Sequence, residues 1–274
     1  MTTVRLPAVA GMFYPDDARL LGRQIEELLE SAEVKPLEGR LMALVSPHAG
    51  YIYSGRTAAH GFALLRGLSF ETVVIVSPSH REYFDGISAY SGSAFRTPLG
   101  DVAVDDELRS SVAAGDEIIA VSGSGHGVEH AVEVQIPFLQ KVLNKFRILP
   151  IVMGDQRREY CMHLGDKLAN VVRGKNVLLL ASTDLSHYHP YRVAVQLDGI
   201  VIDDVRNLDF EQLMTDLDAE RAEACGGGPT VAVLRAATAL GANRARILHS
   251  CNSGDITGDK SGVVGYVSAA ITQN

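Results

Sequence analysis

Three short runs of consecutive apolar residues constrain the fold of this chain more than any other feature of its sequence. They are "LMALVSP" at residues 41–47, "TVVIVSP" at residues 72–78 and "NVLLLAS" at residues 176–182. A strand that lacks polar alternation is buried on both faces, which is typical of parallel sheets covered by helices. The three runs therefore predict an α/β protein with a buried central sheet.

Amphipathic segments separate these runs. In "YPDDARLLGRQIEELLESAE", an acidic pair that can cap a helix precedes leucine and isoleucine residues spaced on one stripe. Helices are also expected in "SGRTAAHGFALLRGL" and in "VEHAVEVQIPFLQKVLNK", the latter with an irregularity at Pro137. A strand, a helix and a second strand in this order imply parallel neighbours joined by a right-handed crossover. We expect a three-layer αβα sandwich around a largely parallel or mixed central sheet, forming a single domain over residues 1–274.

Charge and composition exclude several classes of protein. The 274 residues carry a formal net charge of −8 and no basic block, so we expect no nucleic-acid partner. No apolar run approaches the length of about 20 residues that crosses a bilayer, and the N-terminus does not resemble a signal peptide. Three cysteines, an odd and sparse set, indicate a reducing compartment. We therefore expect a cytoplasmic protein without a membrane partner.

Two of the apolar runs end in Ser-Pro and then reach a histidine, His48 in one case and His80 in the other. Proline lacks the N–H that a ladder strand needs, so the chain leaves the sheet at this point. Ligands of α/β proteins gather beyond the carboxyl ends of the strands. Asp184, His187 and His189 follow the third run in the same way. We expect the two imidazoles of His48 and His80 to face each other in a crevice there.

Two histidines rarely hold a transition metal without a third donor, and Cys225 is the best candidate. It lies in "RAEACGGGPTVAVLRAA", just before a predicted helix, where a thiolate is favoured. The alternative is that Cys225 is a small buried apolar residue. His249 and Cys251, on one face of a predicted strand, form a weaker alternative donor pair.

A competing motif occurs at residues 126–130. His126, Glu129 and His130 match the H-x-x-E-H order of inverted zinc peptidases, in which both histidines bind zinc and the glutamate is the general base. His126 follows "SGSG" and precedes a glycine, so it is expected before the helix begins. A zinc-dependent hydrolase is therefore a possible function, but we rank it below the two functions that other features of the sequence suggest.

Six segments in order, "GMFYP", "SPHAGYIYSG", "SPSH", "EHAVEVQIPFLQ", "STDLSHY" and "ACGGGPTVAVL", resemble those of the Memo family. In prokaryotes this family is also called AmmeMemoRadiSam system protein B, and the resemblance covers essentially the whole chain. It implies a fold similar to that of the class III extradiol dioxygenases, which are non-haem iron enzymes. The glycines that follow the cysteine depart from bulkier residues of other members.

The resemblance implies a metal site formed by His48, His80 and Cys225, with Asp184 and His187 as catalytic groups in the same pocket. Four further residues are expected at the pocket wall, namely Tyr51, Tyr53, His130 and Glu133. A thiolate in place of the usual carboxylate ligand is softer, so the expected metal is iron, with copper or zinc as alternatives.

Two functions follow from the resemblance. The first is a metal-dependent oxidoreductase in which His187 is the general acid and base, and in which Asp184 orients a neighbour or binds metal through water. The second is a non-catalytic adaptor that binds a peptide or protein in the same cleft. The expected ligand is a small molecule or a peptide, and the family name suggests radical-SAM and AMMECR-type proteins as partners.

Overall fold

A nine-stranded mixed sheet forms the centre of the molecule in the computed structural model, which describes residues 3–274. Its strands are β2 (Arg40–Ser46), β3 (Thr72–Pro78), β4 (Ile87–Tyr90), β7 (Ile119–Ser122), β8 (Arg147–Met153), β9 (Val177–Ser182), β10 (His187–His189), β11 (Arg244–Asn252) and β12 (Val263–Gln273). The order is β10-β12-β2-β9-β3-β8-β4-β7, and β11 also pairs with β12. The neighbours within β2-β9-β3-β8 are parallel, whereas β12 and β4 pair antiparallel with this block. The predicted fold class is confirmed.

Nine helices flank the sheet within the described part of the chain. They are α1 (Ala18–Ser31), α2 (Tyr51–Ala63), α3 (Asp106–Ala113), α4 (Ile136–Val142), α5 (Arg158–Val172), α6 (Tyr191–Asn207), α7 (Phe210–Asp218), α8 (Gly227–Ala239) and α9 (Ser253–Thr257). One apolar layer packs α1, α2 and α4 on one face of the sheet, and the other packs α3, α5, α6, α7 and α8 on the opposite face. None of these helices is long and apolar enough to cross a membrane.

The apolar runs have no polar alternation because both faces of their strands are covered. In β9, Leu178 and Leu180 belong to the layer of α1 and α2, whereas Leu179 and Ala181 belong to the layer of α5 and α8. All four side chains are fully buried or nearly so. Burial on both faces is the condition under which a parallel strand reads as a continuous apolar run.

The segment around residue 130 differs from the prediction of one long helix. Residues 128–132 are not helical, and a 3-10 turn, Glu133–Gln135, leads into the short helix α4. The Glu129 carboxylate accepts hydrogen bonds from the backbone amides of His130 and Ala131, at 2.8 and 2.9 Å, and this bonding favours a turn over a helix. Pro137 lies in the first turn of α4, where its missing N–H leaves no intrahelical bond unmade.

A small sheet, which the sequence did not predict, lies beside the α1 and α2 layer. It contains β1 (Val4–Arg5), β5 (Ala94–Thr97) and β6 (Gly100–Ala103) in the order β1-β5-β6. Strands of two to four residues carry too little periodicity to be recognised, and β1 pairs with β5 across some 90 residues of chain. This pairing brings the N-terminal segment close to residues 126–133.

Candidate metal centre

Three neighbouring strands deliver the predicted site residues to one edge of the sheet. In the parallel block, β9 lies between β2 and β3, and Ser46 at the end of β2 is in register with Ser182 at the end of β9. His48, His80 and Asp184 each follow their strand by two residues. Parallel strands end at the same edge, so the three side chains meet beyond it.

The structure brings His48, His80 and Cys225 together. The Cys225 Sγ lies 3.1 Å from the His48 Nε2, and the ring centroids of His48 and His80 are 5.0 Å apart at an interplanar angle of 79°. One ligand atom from each of the three residues lies within 4.8 Å of the others. Two imidazole nitrogens and one sulfur suit zinc, copper or iron, whose bonds to such donors are about 2.0–2.3 Å long. This donor set therefore fits a single transition-metal ion.

Hydrogen bonds determine which nitrogen of His48 faces the sulfur. The Ser182 hydroxyl donates to the Ala131 carbonyl oxygen at 2.7 Å and accepts from the Gln135 Nε2 at 2.8 Å. The His48 Nδ1 lies 2.9 Å from the same hydroxyl oxygen, so it must be the donor in this bond. The Nε2 atom of the neutral ring consequently carries the lone pair, and it points toward Cys225. Such orientation by a second group is typical of metal-binding histidines.

Glu129 orients His80 in the same manner. Its Oε1 accepts a hydrogen bond from the His80 Nδ1 at 2.9 Å, and its Oε2 accepts one from the His80 backbone amide at 2.6 Å. Burial acts to raise the pKa of Glu129, but the bonds from His80 and the Ala131 amide outweigh it and hold the pKa at about 2. The carboxylate therefore stays ionised and leaves the His80 Nε2 free for a metal.

Glu129→Gln is expected to weaken metal binding without abolishing it, by about 10–100-fold, the range found for groups that orient metal ligands. The amide still fills the space but no longer accepts at both oxygen positions. Competition titrations with a chromogenic chelator measure the change. The matched control is Glu82→Gln, at an exposed position whose carboxylate, among residues 3–274, bonds only the Gly125 amide. An unchanged metal affinity in Glu129→Gln would contradict this role.

His130 also lies at the centre. Its ring stacks on His80 with centroids 4.7 Å apart and lies 5.4 Å from that of His48. Burial lowers the pKa of His130 to about 4; Glu129 acts against this change, while His80 and Arg81 reinforce it. His80, Glu129 and His130 form a second group of potential ligands, but the Glu129 oxygens are already engaged by His80 and by backbone amides.

Asp184 and His187 line the same cavity as His48 and His80. The Asp184 Oδ1 accepts a hydrogen bond from the His48 amide at 2.8 Å, and its Oδ2 lies 4.0 Å from the His48 Nε2. Burial raises the pKa of Asp184 to about 7, although amide hydrogen bonds from His48 and Ala49 oppose it. Asp184 lies in a segment without helical structure between β9 and β10.

The His187 Nδ1 donates to the Leu185 carbonyl oxygen at 2.8 Å, which leaves its Nε2 without a hydrogen-bond partner among residues 3–274. Burial lowers the pKa of His187, although the bond to Leu185 opposes this effect. The neutral ring therefore presents a proton-accepting nitrogen to a ligand in the cavity.

Cys225 differs from the prediction of a thiolate favoured by the following helix. Burial raises the pKa of the Cys225 thiol well above its usual value, and the nearby Asp184 carboxylate adds to this effect. The metal-free site therefore holds a thiol, and a bound cation would be needed to displace its proton. Gly226 is required here because a Cβ at this position would collide with the Ser182 carbonyl oxygen.

The cavity above these residues has a volume of about 740 Å³. Tyr53 and His130 line its wall, where they were expected from the sequence. Tyr51 and Glu133, which were also expected there, do not line it. Tyr51 is buried beside Phe138 and donates from its hydroxyl to the Val134 carbonyl oxygen at 2.7 Å. Tyr51 begins α2 and Tyr53 lies two positions later, so the helical rotation turns their side chains in different directions.

The three residues of the zinc-hydrolase motif do not form one site. The buried His126 ring contacts Tyr90 at 5.1 Å between centroids and its Nε2 lies 3.1 Å from the Ser88 carbonyl oxygen. Within residues 3–274, no group of potential metal ligands includes His126. Glu129 is engaged by His80 and three backbone amides, so the hydrolase hypothesis is wrong for this arrangement.

His249 and Cys251 form a separate cluster on β11. The Thr57 Oγ1 lies 2.9 Å from the His249 Nδ1 and 3.2 Å from the Cys251 Sγ, and His60 stacks on His249 with centroids 4.4 Å apart. This cluster lies outside both groups of potential metal ligands found in residues 3–274.

The groups that orient the two candidate histidine ligands were not predicted from the sequence. These groups are Ser182 and Gln135 at His48, and Glu129 at His80. Ser182 ends the third apolar run, and its position at a strand end is the one signal that was available. The contact between Glu129 and His80 joins positions 49 residues apart, which no local pattern reports. Glu223, which accepts from the His187 amide at 3.0 Å, was missed for the same reason.

Comparisons with known proteins find similar sequences over nearly the whole chain and a similar fold. A family model described as Memo-like protein matches residues 5–270. A MEMO1 family protein from Methanosarcina barkeri is 40% identical over 271 residues, covering 98% of this chain and 100% of the relative. A MEMO1 family protein from Methanocaldococcus jannaschii is 39% identical over 287 residues, covering 99% and 100%. The crystal structure of an uncharacterized protein from Escherichia coli K12 is similar in fold, with a TM-score of 0.57 at 16% identity, covering 84% of this chain and 99% of that one.

Proposed function

The chain belongs to the Memo-like protein family, and we propose that it is a metal-dependent oxidoreductase related in chemistry to the class III extradiol dioxygenases. The observation that carries the proposal is the convergence of His48, His80 and Cys225, of which the two histidines line an open cavity. A metal held by these three residues would supply the substrate-binding and oxygen-activating chemistry of such enzymes. Iron is our first candidate, and the sulfur donor makes copper or zinc competitors.

The protein's own residues would bind and deprotonate the substrate. The His187 Nε2 faces the cavity with a free lone pair, so it can accept a proton from a substrate hydroxyl group. Asp184 holds the His48 backbone through its Oδ1 and so fixes the loop that carries this ligand. Tyr53 and Tyr188 also line the cavity.

Oxygen uptake by the iron-loaded protein tests the proposal. The protein is purified anaerobically, loaded with Fe(II) and mixed with a panel of catechols in an oxygen electrode. We expect uptake by the wild type and a loss of about 10²–10⁴-fold in His187→Gln, the usual contribution of a general base, with metal content retained. His189→Gln is the matched control, since the His189 Nε2 bonds Glu223 and does not line this cavity. Uptake no greater than that of free iron would contradict the proposal.

A further inference from the structure

Arg81 lies at the cavity, and the proposed chemistry gives it no role. It follows His80 directly, is exposed, and lines the cavity together with the metal-binding histidines. Among residues 3–274, no carboxylate forms an ion pair with its guanidinium and no acceptor forms a hydrogen bond with it. Most other arginines of the chain pair with a carboxylate, as Arg96 does with Asp101 at 2.7 Å. The guanidinium of Arg81 is therefore available to an anionic ligand.

No other lysine or arginine lines this cavity within the described residues. The acidic residue at the opening, Asp259, accepts hydrogen bonds at its Oδ1 from the Ser261 amide and hydroxyl, at 2.9 and 2.7 Å, and forms no ion pair with Arg81. Among the described residues, Arg81 is therefore the one basic arginine or lysine side chain at the cavity, and its guanidinium forms no direct ion pair with either lining carboxylate, Asp184 or Asp259.

Apolar and aromatic side chains form the rest of the opening. Met12, Ile52 and Tyr188 line the cavity although 72%, 68% and 79% of each residue's surface is exposed to solvent. Phe13, Tyr53 and Tyr266 add aromatic rings from three other positions of the wall. Clustering of exposed apolar side chains around one cavity is a sign of ligand binding.

Tyr188 has a backbone conformation that L-residues rarely adopt, with φ at 62°. A non-glycine residue in this region is held there at a cost, and such residues concentrate at functional sites. The conformation leaves the ring at the opening, beside His187 at 5.7 Å between ring centroids. Tyr188 is thus placed to pack against a flat ligand that reaches the metal centre.

We propose that the ligand of this cavity is a small aromatic acid, with its carboxylate bound by Arg81 and its ring packed against Tyr188 at the opening. This inference rests on the proposed function for the identity of the site, and it adds the class of substrate. A planar acid can form two parallel hydrogen bonds with one guanidinium, which a neutral ring cannot.

Two ligands of matched shape test the charge requirement. The probes are 4-hydroxybenzoate and its neutral isostere 4-hydroxybenzamide, titrated by calorimetry into the zinc-loaded protein, since zinc is redox-inert. We expect the acid to bind wild type about tenfold more tightly than the amide, a ratio worth about 1.4 kcal/mol. Arg81→Ala should bring this ratio close to one, and Arg81→Lys should retain part of it.

Further variants separate the contribution of the Arg81 charge from that of the Tyr188 ring. Arg173→Ala, at an exposed arginine at the end of α5, should leave the ratio unchanged. Tyr188→Ala should weaken both ligands by a similar factor and preserve the ratio. Equal affinities of acid and amide for wild type, no binding of the acid at millimolar concentration, or a ratio that survives in Arg81→Ala would overturn the inference.

Metal content is measured on every sample. Failure of the proposed function would appear as wild-type protein that binds no metal, and the titrations would then be repeated on the metal-free protein. A preference for the acid that depends on Arg81 would still support the anion site in that case, so the two failures are distinguishable.

Discussion

Glu133→Ala is expected to destabilise the folded protein by about 3–5 kcal/mol, the cost of removing one partner of a buried ion pair. Glu133 is fully buried and pairs with Arg5, which is itself 6% exposed. Its carboxylate also accepts hydrogen bonds from the amides of Ala8 and Val9, at 2.8 and 3.1 Å, and from the Tyr14 hydroxyl. The substitution would leave the Arg5 guanidinium buried without a counter-charge.

Urea denaturation monitored by circular dichroism measures this effect, provided that the slope of the transition stays constant. The matched control is Glu38→Ala, which breaks an Arg–Glu pair at the surface, where Glu38 is bound by Arg244. Exposed pairs contribute about 0–1 kcal/mol, so the control should shift the midpoint little. A Glu133→Ala protein no less stable than Glu38→Ala would contradict the structural role. Because Glu133 does not line the cavity, the folded variant should keep its metal affinity.

His48→Ala and Cys225→Ser are expected to lose metal binding almost completely. Each substitution removes a donor atom of the candidate metal centre. The loss of metal affinity should therefore be larger than the decrease of about 10–100-fold that is expected for Glu129→Gln. His48 is the more sensitive position, because its ring also connects Cys225 to the Ser182 hydroxyl. Metal content per chain after dialysis against a weak chelator gives the first measurement.

Thermal unfolding with added metal gives a second measurement. A ligand that binds only the folded state stabilises it by about 2.7 kcal/mol at one hundred times its dissociation constant. Wild type should therefore unfold at a higher temperature with metal, and neither variant should. Cys251→Ser is the matched cysteine control, since Cys251 lies in the separate cluster with Thr57. Unchanged metal content in both His48→Ala and Cys225→Ser would refute the metal centre.

The long elements and the positions of two histidines were predictable because they depend on local patterns. Apolar runs of six or seven residues specify buried strands, and the Ser-Pro ends of β2 and β3 place His48 and His80 beyond the same sheet edge. The prediction that Tyr51 lies at the pocket wall did not hold, because the rotation of α2 turns this side chain into the core beside Phe138. The prediction of a helix was wrong for residues 128–132, where Glu129 side-chain bonds to the backbone replace a helix that the apolar spacing favoured.

The sequence by itself determined the layered α/β architecture and the edge at which its functional groups gather, since strand burial and chain breaks are properties of neighbouring residues. Tertiary structure alone decided the partners of those groups. Glu129 became the support of His80, and Glu133 the counter-ion of Arg5, through contacts that span 49 and 128 positions. Such contacts depend on strand order and register across the whole molecule, and the free energy that selects them comes from packing between distant segments, which a local pattern does not contain.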